Sequence, residues 1–202
     1  MKRSARKMAA WRTALGLGAA AFLGGCQTAP THTVSVDAIT ASPEKLAAAS
    51  FRLVPHDPVL AHDVAQFNQA AGCLAAALEG RGLFAAPGNV APDILIDVDY
   101  GEAPLLVLPG APRTHELYLQ LSARTFLADA PARNYRGEEI WNVRVSVSER
   151  DPRIATVMPL LAAVAVEYAG SDHQPDEPIN VKESDPMVVA AKNAAVAAKV
   201  SP

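Results

Sequence analysis

Apolar and polar residues alternate in several segments of the chain, and this period of two residues predicts β-strands. The alternation is found at residues 34–40, 93–100, 117–125 and 141–147, and residues 50–54 are expected to form a further short strand that Pro55 stops. In residues 93–100 the pattern assigns the carboxylates of Asp93, Asp97 and Asp99 to the face opposite the apolar side chains. We therefore expect a sheet with one buried face and one solvated face, which is typical of antiparallel pairing.

Two further segments repeat apolar residues every three or four positions, which predicts amphipathic helices. The first helix is expected to begin at Asp57-Pro58, with aspartate as the N-cap and proline at the first helical position, and to end at Gly80 and Gly82. Its apolar stripe consists of Leu60, Val64, Phe67, Ala71, Leu74 and Leu78. The second helix is expected to begin at Asp151-Pro152 and to end at Gly170.

The order of these elements predicts an α+β fold. Two strands, a helix, three strands and a helix give a two-layer sandwich, with a mostly antiparallel sheet and two amphipathic helices on one face. This domain is expected over residues 34–170. Residues 171–202 are expected to form a polar linker, rich in Pro, Asp and Glu up to residue 184, followed by a short Ala-rich helix that starts at Asp185-Pro186.

The first 25 residues have the composition of a secretory signal peptide. Residues 1–12 hold five Lys or Arg residues and no acid, and residues 13–23 are uncharged and mostly apolar. This apolar run is too short to span a bilayer, which needs about 20 apolar residues. It ends in Leu23-Gly24-Gly25-Cys26, and a cysteine at this place resembles the bacterial lipoprotein signal. An ordinary cleaved signal peptide is the alternative.

The lipoprotein resemblance implies that residues 1–25 are removed and that Cys26 becomes the first residue of the mature chain. It implies a diacylglyceryl group on the Cys26 thiol and a third acyl chain, such as palmitate, on the new amino group. Gln27 stands where an aspartate would mark inner-membrane retention, so the resemblance implies the outer membrane of the cell envelope, with the domain facing the periplasm. Residues 26–33 would form the lipidated N-terminus and a tether. Three chains should anchor the protein permanently, since each buried methylene contributes about 0.8 kcal/mol.

The charge of the chain excludes one class of partner. The signal peptide contains five of the 18 basic residues and none of the 21 acidic ones, so the mature chain has 13 basic residues, 21 acidic residues and a formal charge of −8. Such a chain, without a basic cluster, lacks the phosphate contacts that nucleic-acid binding needs. The expected partners are the membrane, through the lipid on Cys26, and an envelope protein.

Two groups of side chains contain metal-binding residue types. His56-Asp57 and His62-Asp63 include zinc ligands, but the first aspartate is explained as a helix cap, and the spacing places no histidine pair on one helix face. The carboxylates of Asp93, Asp97 and Asp99 could hold calcium, but the EF-hand loop and its glycine are absent, which favours a solvated sheet face. We expect neither a metal ion nor a cofactor.

No catalytic motif is found in the chain. The nucleophile elbow, the Walker loop, the dinucleotide-binding glycines and the His-Glu-x-x-His zinc motif are all absent. We therefore expect a protein that is not an enzyme, and a hydrolase with an unrecognised site is the weaker alternative. Cys73 lies in an Ala-rich segment and is interpreted as a small buried residue, because no cation lies within one helical turn to stabilise a thiolate. A reactive thiol is the other interpretation.

The apolar run Leu105-Leu106-Val107-Leu108 is framed by Pro104 and Pro109. One interpretation is a short edge strand or a loop packed against the core. The other is an exposed patch that contacts a partner or lipid.

Five motifs follow the proposed lipidated cysteine: Phe51-Arg52-Leu53, residues 78–84, residues 92–96, Glu139-Ile140-Trp141 and residues 159–170. Together they resemble a family of bacterial envelope lipoproteins known as a domain of unknown function. The family implies no activity, cofactor or catalytic residue. The leading hypothesis is a non-enzymatic envelope assembly, structural or transport-accessory module. The alternative is a carrier of lipid or a small apolar ligand, with a groove between the helices and the sheet.

Overall fold

In a computed structural model of the 202-residue chain, residues 29–41, 48–57, 63–103, 114–128, 136–150 and 153–200 are described. This part of the chain contains seven strands: β1 (Thr31–Thr40), β2 (Ser50–Pro55), β3 (Phe84–Ala85), β4 (Ile94–Ala103), β5 (His115–Phe126), β6 (Arg136–Glu149) and β7 (Ile179–Lys182). Three helices accompany them: α1 (Val64–Gly80), α2 (Ile154–Tyr168) and α3 (Pro186–Val200). The expected α+β class is confirmed.

The seven strands form one mixed sheet in the order β3-β2-β4-β5-β6-β1-β7. Strand β2 runs parallel to both β3 and β4, whereas the pairs β4–β5, β5–β6, β6–β1 and β1–β7 are antiparallel. The expectation of a mostly antiparallel sheet in a two-layer sandwich is therefore wrong in its detail. The cause is α1, because a helical crossover between β2 and β4 returns the chain to the same end of the sheet and makes the two strands parallel.

The core lies between the apolar face of the sheet and the helices. Its strand residues are fully or almost fully buried, and they include Val34, Val36, Ile96, Val98, Leu117, Leu119, Leu121, Trp141, Val143 and Val145. Helix α2 packs against β1, β4, β5 and β6 of the sheet and also against α1 and α3. This double contact explains why eleven of its residues, from Ile154 to Val166, are buried. The two helices expected in this layer are joined by α3, which packs against both of them.

The start of α1 differs from the expectation. Asp63 caps the helix, because its Oδ1 accepts a hydrogen bond of 3.0 Å from the backbone N–H of Gln66. Asp57 is thus not the cap, and Pro58, Leu60 and His62 lie outside the described residues. The helix buries Ala70, Cys73, Leu74, Ala77 and Leu78, whereas Val64 of the predicted stripe is 59% exposed. The buried face is wider than one stripe because both α2 and α3 pack against α1.

The C-terminal region also differs, because residues 171–184 are not a linker throughout. Strand β7 pairs with β1, and His173 exchanges two backbone hydrogen bonds with Ala38. The expected Ala-rich helix is present as α3, and Asp185 Oδ1 accepts a bond of 2.9 Å from the Met187 N–H at its start. Four alternating residues are too short a segment to have indicated β7 within such a polar stretch.

Strand β1 begins earlier in the sequence than expected, so fewer residues separate it from the proposed lipid site. The strand begins at Thr31, within the segment predicted to be tether, because Thr31 to Val34 pair with β7. Cys26 itself, with Gln27 and Asp151-Pro152, lies outside the described residues. Among the residues that are described, no helix is long and apolar enough to cross a membrane.

Candidate functional site

The face of the sheet that points away from α2 carries an ordered cluster of polar side chains. A cleft of about 190 Å³, here called the polar cleft, opens on this face. It is lined by His56, Asp97, Asp99, Gln120, Ser122, Arg124, Glu139 and Asn142. These residues belong to β4, β5 and β6, except for His56, which follows β2. The three described helices contribute no side chain to this lining.

Strand register brings the cleft residues together. Asp97 lies opposite Ser122 on β5, and Ser122 lies opposite Asn142 on β6. The β5–β6 register then shifts between Ala123 and Arg124, so that Arg124 pairs with Glu139. A β-bulge of this kind redirects side chains locally. Here the bulge places the Arg124 guanidinium next to the Glu139 carboxylate, where the regular pairing of β5 and β6 is interrupted.

Arg124 is the central cation of the polar cleft. Its Nη2 donates to Glu139 Oε2 at 2.7 Å, and its Nε lies 3.8 Å from Asp97 Oδ2. The Ser122 hydroxyl donates to the same Glu139 oxygen at 2.7 Å. Asp97 is only 4% exposed, so the expectation that Asp93, Asp97 and Asp99 form a solvated face is wrong for Asp97. A carboxylate at this depth needs nearby donors or cations, because a buried charge is costly when it is not compensated.

A second set of contacts orders the polar face beside the cleft. The Arg144 guanidinium lies 4.0 Å from the ring centroid of Tyr118 and donates to Gln120 Oε1 at 3.3 Å. Gln120 in turn donates to Asn142 Oδ1, and the Tyr118 hydroxyl donates to Asp99 Oδ2, both at 3.3 Å. Burial, followed by the charge of Asp99, raises the pKa of Tyr118. The amides and hydroxyls on this face are therefore held in fixed directions.

The residues considered as metal ligands are divided among three places. Asp63 caps α1, Asp93 hydrogen-bonds to Ser50 at the start of β2, and His56 lines the polar cleft together with Asp97 and Asp99. Within the described ranges, no group of three or more His, Cys, Asp or Glu residues is arranged to hold a metal ion. Cys73 is buried in the core.

Two sequence features remain outside the described residues, the lipid site at Cys26 and the run Leu105-Leu106-Val107-Leu108. In the sequence, the apolar run lies between β4 and β5. The last residue of β4 and the first residue of β5 are at the same end of the sheet as the start of β1.

A second polar cluster, here called the His32 cluster, joins β1 to the C-terminal region. His32 Nδ1 lies 2.9 Å from Glu149 Oε1, and His32 Nε2 lies 3.1 Å from Glu183 Oε1. Lys192 on α3 donates from Nζ to Glu183 Oε2 at 2.5 Å. The hydrogen bonds from Lys192 and then from His32 lower the pKa of Glu183. Both ring nitrogens can donate only when His32 is an imidazolium ion.

An apolar cleft of about 430 Å³ lies at the β2 side of the sheet. It is lined by Arg52, Val54, Gly88, Asn89, Val90, Ala91, Leu95 and Phe126. Arg52 donates to the carbonyl oxygen of Val90 at 2.6 Å, which holds the 87–91 loop over the strand. This cleft differs from the groove between helices and sheet that the sequence suggested, where buried apolar side chains pack instead.

Comparison with solved structures shows what the fold resembles. It is similar to a PDZ domain protein from Parabacteroides distasonis, with a TM-score of 0.54 and 11% sequence identity. That similarity covers 77% of this chain but only 40% of the other protein, so the chain spans less than half of its length. A PelC dodecamer from Paraburkholderia phytofirmans matches with a TM-score of 0.41, 10% identity, and coverage of 69% of this chain and 99% of the other. No protein-family model and no curated protein matches the chain.

Proposed function

We propose that this chain is a periplasmic lipoprotein, anchored in the outer membrane through Cys26, that binds a basic protein partner at the polar cleft. In this role it is a non-enzymatic assembly, structural or transport-accessory module of the envelope. The observation that carries the proposal is the fixed, hydrogen-bonded arrangement of charged side chains around Arg124, on a sheet face whose cleft no described helix lines.

The charge of the polar cleft favours a basic partner. Three carboxylates line the cleft, those of Asp97, Asp99 and Glu139, against the single guanidinium of Arg124. The whole mature chain is acidic as well, with a formal charge of −8 from 13 basic and 21 acidic residues. A basic surface rich in hydrogen-bond donors complements this potential and would be steered toward it.

The contacts of Ser122 support binding over catalysis. Its hydroxyl donates to Glu139, and the same carboxylate oxygen accepts from Arg124 at 2.7 Å. The shared oxygen holds Ser122, Glu139 and Arg124 in one fixed hydrogen-bonded network, which is the arrangement of a recognition surface.

The test introduces a photo-crosslinking side chain at Gln120, in the cleft, in otherwise intact cells. A matched position is Asn193, which is exposed on α3. We expect a protein adduct from position 120 and none from 193. In membranes, the adduct from position 120 should decrease when ionic strength is raised, because exposed charge pairs are screened by salt.

Charge-neutral variants show whether the adduct depends on the proposed chemistry. Asp99→Asn keeps the size of the side chain and removes one carboxylate, so the adduct from position 120 should become weaker. Asp176→Asn is the matched control, because Asp176 is exposed in the 171–178 segment, away from the cleft lining. An adduct insensitive to both salt and Asp99→Asn would overturn the proposal of a basic partner.

The apolar cleft supports a second candidate, the binding of a small apolar ligand. Its volume of about 430 Å³ falls within the usual range for ligand pockets. Native mass spectrometry of protein purified from membranes would detect a bound molecule, and Val54→Asp should abolish that binding. A native mass spectrum without a bound molecule, recorded without detergent exchange, would contradict this candidate.

A further inference from the structure

We propose that the end of the sheet at which β1 begins rests on the lipid headgroups, so that the polar cleft is held away from the bilayer. This end, here called the anchor end, contains Thr31, Lys182, Glu149 and His115 as the terminal residues of β1, β7, β6 and β5. The inference rests on the proposed lipidation of Cys26 and adds an orientation and a contact surface to it.

Covalent geometry limits how far the anchor end can lie from the membrane. Five peptide units separate Cys26 from Thr31, and a fully extended chain of that length spans about 17 Å, whatever path the residues take. Thr31 is fixed in the sheet, because it pairs with Lys182 of β7. A tether this short keeps the end of β1 close to the headgroup region, because the acyl chains on Cys26 would hold that residue at the membrane surface.

The charges of the anchor end suit a phospholipid surface. Exposed cations are present at Lys182, at Arg150 directly after β6, and at Arg153 before α2. Among the described residues, the acidic groups of this end include Glu102, Glu116, Glu149 and Glu183, and three of them lie against cationic or titratable partners. Glu102 contacts His115 at 2.5 Å, whereas Glu149 and Glu183 contact His32. Lys182 and Arg150 are thus exposed cations at this end that can contact anionic headgroups.

The same strand geometry places the polar cleft at a distance from the lipid. Asn142 of the cleft lies seven residues before Glu149 on β6, which corresponds to about 24 Å along an extended strand. Because the cleft is held away from the membrane surface, a protein partner in the periplasm can reach it. The short tether and the position of the cleft explain how one domain could contact lipid and protein together.

The test uses the full mature lipoprotein, with its native acyl chains, in vesicles of phosphatidylethanolamine and phosphatidylglycerol. A fluorophore is attached to Ser148→Cys near the anchor end or, as the matched control, to Glu138→Cys. Both positions are exposed on β6 and lie about 33 Å apart along the strand. Cys73 is buried and should stay unlabelled. A nitroxide on the lipid headgroup should quench the label at position 148 several-fold more than the label at 138.

Two further arms separate the possible results. In vesicles with phosphatidylglycerol, Lys182→Glu with Arg150→Glu should reduce the quenching at position 148, and in neutral phosphatidylcholine the substitutions should have no such effect. Equal quenching at 138 and 148, or stronger quenching at 138, would overturn the orientation. Mass spectrometry of the same preparation reports the acyl chains, so failure of the lipoprotein proposal is distinguished from a wrong orientation.

Discussion

Arg81 Nη1 donates a hydrogen bond of 2.7 Å to the backbone carbonyl oxygen of Glu167. The same nitrogen also contacts the carbonyl oxygens of Val166 and Ala169. One guanidinium, located directly after α1, therefore caps the C-terminal end of α2, where carbonyls have no partners within the helix. This contact joins the ends of the two helices that pack on each other above the sheet.

Loss of the Arg81 cap should destabilise the fold. We expect Arg81→Ala to lower the free energy of unfolding by about 1.5–3 kcal/mol, the usual range for hydrogen bonds to a charged group. Arg81→Lys should lose less, because it keeps the positive charge at the helix end but not the planar fork of donors. Urea denaturation of a chain that lacks residues 1–26 measures both. If the Lys variant were as unstable as the Ala variant, the positive charge at the end of α2 would not contribute to stability.

Gly82 is required by the backbone turn that ends α1, because its φ is +88°. Gly82→Ala should destabilise the protein by about 1 kcal/mol, since a Cβ at positive φ is strained even though no atom lies within 4 Å of it. Gly88→Ala is the matched control, because the space around that Cβ is equally open and Gly88 is not among the positive-φ residues. Thermal denaturation of the two variants compares them. Equal melting temperatures for the two variants would show that the positive φ of Gly82 does not matter for stability.

Asp93 links the starts of β2 and β4. Its Oδ2 accepts from both the N–H and the hydroxyl of Ser50 at 2.7 Å, and these two bonds, the hydroxyl first, lower the pKa of Asp93. Because the pKa is lower in the folded state, the stabilisation is present above the pKa of the unfolded chain, about 3.9, and is lost as pH falls through the folded value.

The prediction for Asp93 follows from that sign. Asp93→Asn should be less stable than the parent protein at neutral pH, and the difference should decrease as the pH falls below about 4. Urea denaturation at a series of pH values measures it. Ser50→Ala should give the same pH trend, because it removes the hydroxyl donor that contributes most to the shift. A difference that stays constant with pH would show that the carboxylate charge is not involved.

The His32 cluster should hold α3 in place. Lys192→Met removes the cation that does most to lower the pKa of Glu183, while keeping the length of the side chain. We expect faster hydrogen exchange in α3 and β7, with little change in β4 and β5, because the Lys192–Glu183 contact joins α3 to the residue after β7. Asn193→Met is the control at the neighbouring exposed position. The same exchange in both variants would show that the ion pair has no role in docking α3.

The sequence predicted the core of the fold because local periodicity determines it. The alternation in β4, β5 and β6 placed Ile96, Leu119 and Val143 on one face correctly, and all three are fully buried. The third helix was also predicted in its place. By contrast, the parallel pairing of β2 depends on where α1 returns the chain, which no local pattern contains. Strand β7 is short and lies in a polar segment, so its pairing with β1 left no periodic signal.

The candidate site was predictable only in part. The pattern assigned Asp97, Asp99 and Asn142 to the outer face, where they line the polar cleft. The burial of Asp97 and the pairing of Arg124 with Glu139 depend on register across three strands and on the bulge after Ala123. The His32 cluster joins residues more than 100 positions apart, and no histidine spacing indicated it.

The most direct test of the central proposal is the mass of the native N-terminus. The protein is extracted from outer membranes, digested, and its N-terminal peptide is measured by mass spectrometry. We predict a peptide that begins at Cys26 and carries a diacylglyceryl group with a third acyl chain, and a Cys26→Ser variant that lacks this modification and leaves the membrane fraction. A native chain without acyl groups, beginning at another residue, would contradict the account.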